Sequence, residues 1–288
     1  MLYLILVSIL WGFSFGLIKG HLTGIDTNFV SFARIFLSFL VFAPFIRLRG
    51  INFRLGLKFA LTGMLQFGVM YITYIYSFHF LKSYEVALFT VFTPLYVALI
   101  DNTLQRRNNM LNIVTAFLAL IGTAIVSLKG VPQGGLLQGF LLVQSSNFCF
   151  AFGQVYYKNL MAQTPHLKDQ NVFGLLYLGG AAITALSTTI FNGWNGLVLS
   201  SSQVLTLLYL GVIASGICFF LWNLGGRLVN TGTLGIFNNL KVPVAVAISL
   251  LFFGEQANIP NLIAGGAIVL AALFINEYHS RRLILKPA

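Results

Sequence analysis

The chain has 288 residues, of which 58% are hydrophobic and only 8% are charged, and its mean hydropathy is +0.87. Soluble domains carry about 25% charged residues, so this composition leaves too little polar surface for a soluble fold and predicts an all-α membrane protein. The formal net charge is +11, but the basic residues lie in short groups between apolar runs rather than in one patch, which argues against a nucleic-acid partner.

Ten apolar runs approach the roughly 20 residues that a helix needs to cross a bilayer. They lie at residues 2–19, 28–46, 57–78, 84–101, 110–128, 136–157, 171–191, 204–224, 233–252 and 260–276. The connections between them are short, so we expect no separate soluble domain. The first run has no basic segment before it and no clear small-residue cleavage site after it, so we expect it to be retained as the first membrane helix.

The distribution of basic residues predicts how the chain is oriented. If the N-terminus is cytoplasmic, twelve of the 17 Lys and Arg residues fall in cytoplasmic loops or in the C-terminal tail, and three fall outside. Cytoplasmic loops of membrane proteins are enriched in Lys and Arg. Both termini are therefore predicted to be cytoplasmic, with an even number of spans in the lipid bilayer.

The two halves of the chain resemble each other weakly. Corresponding positions share an offset of 148 or 149 residues: Gly63 with Gly211, Gly68 with Gly216, and Pro94 with Pro243. This order predicts two repeats of five spans, at residues 1–130 and 131–288. Because five is odd, the second repeat would be inverted relative to the first, as in many secondary transporters. The two prolines also predict kinks in the fourth and ninth helices.

Arg34 lies about six residues inside the second span. A charge at the centre of a span costs about 2.5–3.5 kcal/mol or more, so such residues usually face a cavity or a partner. The planar guanidinium suits a carboxylate or a phosphate. The alternative is a structural arginine that reaches the outer interface or pairs with an acid.

A second cation, Lys241, lies near the middle of the ninth span, after Asn238 and Asn239 and before Pro243. A proline leaves the carbonyl four residues earlier without its donor, and an opened helix is tolerated at membrane depth where it lines a cavity. We therefore expect a central polar site here. The alternative is that the two amides only join neighbouring helices.

Three further residues complete the predicted site. Asn147 shares one helical stripe with Gln144 and Gln154 in the sixth span, and we expect it to face a cavity. Tyr74 lies on an aromatic face of the third span. Glu85, at the outer end of the fourth, either takes up protons or pairs with Arg34 or Lys82. Aromatic walls with a few amides suit a flat or apolar organic substrate.

The sequence contains no pattern typical of an enzyme. Its four histidines are scattered near loops, and there is no carboxylate pair, phosphate loop or nucleophile motif. We therefore predict no catalytic residues, no metal and no cofactor. A lipid-modifying membrane enzyme and an oligomeric channel are the other classes considered. A duplicated ten-helix chain requires no oligomer, so we expect a monomer.

The Trp-Gly-Phe-Ser-Phe motif at residues 11–15, together with Arg34 and the proline-centred fourth and ninth helices, resembles the EamA-type drug/metabolite transporter superfamily. The resemblance covers the whole chain. Three longer segments, at residues 88–96, 141–147 and 232–239, resemble more closely the branch of bacterial biotin transporters.

The resemblance implies a multi-pass carrier in the bacterial cytoplasmic (inner) membrane that takes up biotin by alternating access. The superfamily alone implies a metabolite carrier, and an exporter of amino acids or related small metabolites is the alternative. In a biotin site, Arg34 or Lys241 would hold the carboxylate. The ureido group would contact Asn147, Asn238 and Asn239, and aromatic walls that include Tyr74 would enclose the rings.

Overall fold

This computed structural model describes residues 2–104 and 135–229, together with scattered positions between 234 and 278. Within these residues the secondary structure is helical, without a β-strand. Seven helices are long and apolar enough to cross a membrane. The chain is therefore an all-α, multi-pass membrane protein, as its composition predicts.

The seven helices match the first four predicted spans and the sixth to eighth. They are α1 (Leu2–His21), α2 (Thr27–Phe45), α3 (Phe53–Ser77), α4 (Ser83–Leu104), α5 (Leu136–Gln163), α6 (Asp169–Ile190) and α7 (Ser201–Arg227). The largest difference is at α5, which continues six residues past its predicted end at residue 157. The fifth predicted span and most of the ninth and tenth lie outside the described residues, so the total of ten spans stays a prediction.

Side-chain caps fix where two of the helices begin. The Asp26 carboxylate accepts hydrogen bonds from the backbone N–H groups of Asn28 and Phe29, both at 2.9 Å, and so starts α2. The Asn52 side chain accepts from the backbone N–H of Leu55 at 2.8 Å and starts α3. Each cap satisfies N–H groups that have no partner within the helix, so each of these helices begins at a defined residue.

Two of the long helices contain π-helical segments, Met64–Val69 in α3 and Tyr209–Ile217 in α7. A π segment inserts extra residues into a helical turn, and such segments are often found at functional sites. The two segments lie at matching places in the predicted repeats, and the glycine pairs noted in the sequence lie beside or within them.

Glycines let the helices approach closely along two seams. A Cβ atom on Gly63 of α3 would lie 1.8 Å from the Leu176 carbonyl oxygen of α6, and one on Gly179 of α6 would lie 1.9 Å from the Ala60 carbonyl oxygen. A Cβ atom on Gly211 of α7 would lie 2.7 Å from a side-chain carbon of Leu37 on α2. No larger residue fits at Gly63 or Gly179, so α3 lies on α6 and α7 on α2 with their backbones nearly in contact.

The helix α4 is interrupted near its middle. Its backbone forms a 3-10 turn at Thr90–Phe92, directly before Thr93 and Pro94. Proline has no N–H to donate to the carbonyl four residues earlier, which is that of Thr90. The Thr93 hydroxyl donates to that carbonyl instead, at 2.7 Å. The interruption brings polar backbone into the interior of the protein, beside the candidate site.

Candidate substrate-binding site

The described helices surround a cavity of about 510 Å³, its open mouth included. Residues from α1, α2, α3, α4, α5 and α7 line it. Its polar lining consists of Ser14, Arg34, Thr90, Ser146 and Asn147, and most of the remaining wall is aromatic.

Arg34 lies at the cavity, and its side chain is only 2% exposed. Its Nη2 donates to the Tyr71 hydroxyl at 2.8 Å, and its Nε donates to the Ser215 hydroxyl at 3.1 Å. The guanidinium carbon also lies 4.3 Å from the centre of the Tyr71 ring, in a cation–π contact. These contacts hold the guanidinium in place, so Arg34 does not extend to the membrane surface.

The charge of Arg34 is not neutralised by any acidic side chain that the structure describes. Its Nη1 atom is buried and has no hydrogen-bond partner. Among the described residues that line the cavity, none is acidic. A buried cation with a free donor in a cavity is a strong site for an anionic group, because a carboxylate would supply both the missing charge and the missing acceptor.

Tyr74 also lines the cavity, one helical turn from Tyr71. Its hydroxyl makes no hydrogen bond to a described residue, and it is not among the atoms sealed from solvent. On the α1 side, the Ser14 hydroxyl is buried and also lacks a partner. Sequence reasoning named Tyr74 but missed Ser14 and Ser146, whose only signal was their position inside the motifs that carry the family resemblance.

Asn147 faces the cavity and also supports the interruption in α4. Its Nδ2 donates to the Phe89 carbonyl at 2.9 Å and to Gln144 Oε1 at 3.2 Å. Its Oδ1 lies 3.2 Å from the Thr93 hydroxyl, whose one hydrogen it shares with the Thr90 carbonyl. Both amide hydrogens are thus used, but the oxygen has a second lone pair. Asn147 can therefore accept a hydrogen bond from a ligand N–H group.

Aromatic rings form the rest of the wall. Trp11 lies 4.7 Å from Phe219 and 5.9 Å from Phe150, measured between ring centres. Phe15 meets the ring of Tyr74 edge to face at 5.9 Å. Such packed rings give a cavity with firm apolar sides, suited to a flat or cyclic organic molecule.

The remaining predicted residues are distributed differently. Glu85 is buried in the first turn of α4, where its carboxylate accepts the backbone N–H of Lys82 at 2.9 Å, and the contacts of Arg34 do not include it. Asn238 is buried and donates to the Leu234 carbonyl at 3.1 Å, outside the cavity lining. Three predicted positions lie outside the described residues: Asn239, Lys241 and Pro243.

A second charged cluster joins the start of α6 to the end of α7. Asp169 pairs with Arg227, and the Tyr157 hydroxyl donates to the other carboxylate oxygen of Asp169 at 2.6 Å. Beside it, Lys158 donates to the Val229 carbonyl at 2.7 Å. This cluster is distinct from the cavity and closes one end of the helical bundle.

A multi-pass helical protein with a small, aromatic-walled cavity between its helices has the architecture of a membrane carrier for small organic molecules. The chain belongs to the EamA-like transporter family, whose family model matches it twice, at residues 1–128 and 137–277.

The similar proteins are transporters, which confirms the prediction that this chain is not an enzyme. A probable biotin transporter of Pseudomonas aeruginosa is 39% identical, over 98% of this chain and 99% of its own. A biotin transporter of Escherichia coli is 37% identical, over 96% of this chain and 93% of its own. A probable amino-acid metabolite efflux pump of Salmonella typhimurium is 24% identical, over 66% of this chain and 64% of its own.

The fold recurs in a solved crystal structure. That structure matches with a TM-score of 0.68 and covers 94% of each chain, at 17% sequence identity. At this level of identity the match supports the shared fold and carries no information about the substrate.

Proposed function

We propose that this protein is a secondary transporter that takes up biotin across the bacterial inner membrane. The observation that carries the proposal is the buried Arg34 side chain at the cavity wall. Its Nη1 has no hydrogen-bond partner, and no acidic side chain in the described part of the chain pairs with it. Biotin has one carboxylate, and relatives 37–39% identical over nearly the whole chain are named biotin transporters or a probable one.

The chemistry of the cavity matches the parts of biotin. The carboxylate binds Arg34 Nη1 and the hydroxyl of Tyr74, which both lack partners. An N–H of the ureido group donates to the free lone pair of Asn147, and the hydroxyl of Ser14 donates to the ureido oxygen. The fused rings and the alkyl chain lie between the aromatic walls. The carboxylate, the ureido oxygen and one ureido N–H then each have a partner, as polar groups in a buried site require.

The predicted polar site on the ninth span remains part of the proposal. Lys241 is the alternative partner for the carboxylate, and Asn238 and Asn239 are further amides for the ureido group. Asn238 has a buried, unpartnered Oδ1. Arg34 is the stronger candidate for the carboxylate because it lines the cavity and has an unpartnered donor. Glu85 serves as a proton or ion-pair site at the start of α4.

The packing of the helices supports a mechanism of alternating access by two inverted five-helix repeats, at residues 1–130 and 131–288. If α3 corresponds to α7 and α2 to α6, the glycine seam between α3 and α6 corresponds to the seam between α7 and α2. Each repeat thus supplies one partner to each seam. The repeats exchange conformations to open the cavity to either side, in a monomer with ten spans and both termini in the cytoplasm.

Export of amino acids or related metabolites is the alternative function, favoured by the relative named as an amino-acid metabolite efflux pump. An amino acid brings an ammonium group as well as a carboxylate. The cavity lining that the structure describes includes no acid to neutralise that ammonium. The cavity therefore fits a monocarboxylate better than a zwitterion.

Uptake of labelled biotin tests the proposed function. The gene is expressed in a biotin-requiring bacterium that lacks its own transporter, at low external biotin. The expected result is saturable uptake that excess unlabelled biotin suppresses. Uptake no greater than that of the empty strain, with the protein present in the membrane, would contradict the proposal and would direct the search to export of amino acids.

A further inference from the structure

A second polar cluster lies behind the aromatic wall of the cavity. It consists of Gln66 on α3, Gln154 on α5, and Trp222 and Asn223 on α7, and we call it the glutamine cluster. All four side chains are buried. The ring of Trp222 lies 4.9 Å from that of Trp11, which lines the cavity, so only this ring layer separates the cavity from the cluster.

The neighbours of Gln154 fix which way its amide points. The indole N–H of Trp222 can only donate, and it donates to Gln154 Oε1 at 3.0 Å. The NH₂ group of Gln154 is therefore the end of the amide that takes no part in the bond to Trp222. That group is buried and has no hydrogen-bond partner.

The same logic fixes Gln66. Asn223 donates its amide hydrogen to the Phe219 carbonyl at 2.9 Å, and a carbonyl can only accept. The Asn223 oxygen is thus the acceptor for Gln66 Nε2, at 3.1 Å. This leaves Gln66 Oε1 as a buried acceptor without a partner.

The cluster therefore holds one free acceptor, on Gln66, and one free donor, on Gln154. Gln66 packs over Gly153, which directly precedes Gln154 in the chain: a Cβ atom on Gly153 would lie 2.2 Å from the Cβ of Gln66. Buried polar atoms without partners are uncommon in proteins because they are costly. A group that both donates and accepts, as an amide or a ureido group does, would satisfy both.

We propose that Gln66 and Gln154 form a second, transient binding site for the amide or ureido group of the transported molecule. This inference rests on the proposed function. The substrate reaches the site when the ring layer of Trp11 and Trp222 separates. The layer opens by a movement of α1, which carries Trp11, so Trp222 and Asn223 of α7 continue to hold the two glutamines and their free ends keep their orientation. Gln66 itself lies in the π segment of α3, where the helix is irregular.

Transport rates of two substrates on the purified protein in proteoliposomes test this site. One substrate is biotin, and the other is biotin methylated at both ureido nitrogens, which has lost its N–H donors. Gln66→Met removes the acceptor and keeps the length of the side chain. We expect it to lower the maximal rate for biotin about tenfold, because a buried hydrogen bond is lost, and to leave the Kd of biotin within about twofold.

The comparison of the two substrates separates binding from a structural role. In the wild type, biotin should move about tenfold faster than its methylated form at saturation, and in Gln66→Met the two rates should agree within about twofold. Thr184→Val removes a buried polar group of a different kind, a hydroxyl that bonds within its own helix. It is the control variant and should keep the wild-type rates. Gln66→Asn, which keeps an amide but shortens its reach, gives a second variant if Gln66→Met does not fold.

Two results would overturn the second site. One is an unchanged maximal rate in the Gln66 variants. The other is a reduced rate that keeps the tenfold preference for biotin over its methylated form, which would mean that Gln66 acts only on the structure. Wild-type protein that neither binds nor transports biotin would overturn the proposed function itself and this site with it, so the two failures are distinguishable.

Discussion

Two arginines in this protein occupy opposite electrostatic settings. Arg227, at the end of α7, pairs with Asp169, which also accepts from Tyr157. Arg34, inside α2, has only the neutral hydroxyls of Tyr71 and Ser215, and one of its donors is free. The two arginines differ in exposure, 26% for the Arg227 side chain and 2% for Arg34, and in how their charge is compensated. Asp169 neutralises the charge of Arg227, whereas no described acidic side chain neutralises that of Arg34.

The largest expected effect is the difference in biotin binding between two variants, each of which lacks one of these guanidinium groups. Arg34→Met should weaken biotin binding and slow uptake by at least about 30-fold, because losing one partner of a buried, hydrogen-bonded charge pair costs about 2–5 kcal/mol. Arg227→Met is the matched control and should leave the Kd of biotin within about twofold. Equilibrium binding to the detergent-solubilised proteins measures both. Equal losses of biotin affinity in the two variants would contradict the view that Arg34, and not Arg227, binds the substrate.

The glycine seam that supports the cavity should be nearly as sensitive, in stability rather than in binding. Gly63→Ala introduces a Cβ atom 1.8 Å from the Leu176 carbonyl, so α3 must move away from α6. We expect a loss of about 3 kcal/mol in stability, seen as a lower melting temperature and poor recovery from the membrane.

Gly56 gives the control on the same helix. A Cβ atom there would lie 3.7 Å from its nearest neighbour, in ordinary contact. Gly56→Ala should therefore raise stability by about 0.5–1 kcal/mol, because alanine favours a helix over glycine. If the two alanine variants melt at the same temperature, the close seam does not support the fold.

Removing a single free hydroxyl should sharpen the map of the cavity around Arg34. Tyr74→Phe deletes an O–H that has no hydrogen-bond partner among the described residues, so stability should not change. Biotin binding should weaken by more than about tenfold, because a hydrogen bond to a charged group contributes about 1.5–3 kcal/mol. Isothermal titration calorimetry measures the change, and a Kd equal to that of the wild type would remove Tyr74 from the carboxylate site.

The smallest effect is expected at the paired arginine. Asp169→Asn removes the charge that neutralises Arg227 and keeps an acceptor for Tyr157. Because the two side chains are 26% and 14% exposed, the pair should contribute about 1 kcal/mol, or about 2–4 °C in melting temperature. The Kd of biotin should stay within about twofold. A larger loss of binding would assign this cluster to the substrate path.

The spans were predictable from the sequence because each depends only on a local run of apolar residues. Arg34, Tyr74 and Asn147 were also identifiable, since a polar or aromatic group within a span stands out, and the structure brings all three to one cavity. The hydrogen-bond partners of these residues could not be identified from the sequence. Ser215 lies 181 residues from Arg34 along the chain, and hydropathy does not say which helix faces which.

Two other features had no usable signal in the sequence. The π segments of α3 and α7 shift the faces of both helices, and a periodicity of 3.6 residues cannot anticipate them. The pairing of Arg227 with Asp169 was also hidden, because a basic residue at the end of a span is usually part of a loop facing the cytoplasm. The contacts in the structure show that Arg227 has an acidic partner and that Arg34 has none among the described residues, whereas the sequence shows only where each arginine lies along its span.

The central claim is that the Arg34 guanidinium binds the carboxylate of the substrate. The most direct measurement compares the Kd of biotin with that of its methyl ester, on wild-type protein and on Arg34→Met. We expect the wild type to bind biotin about 100-fold more tightly than the methyl ester, and Arg34→Met to bind the two equally, because the ester and the variant each remove the same interaction. A preference for the free acid that persists in Arg34→Met would contradict it and would assign the carboxylate to another cation.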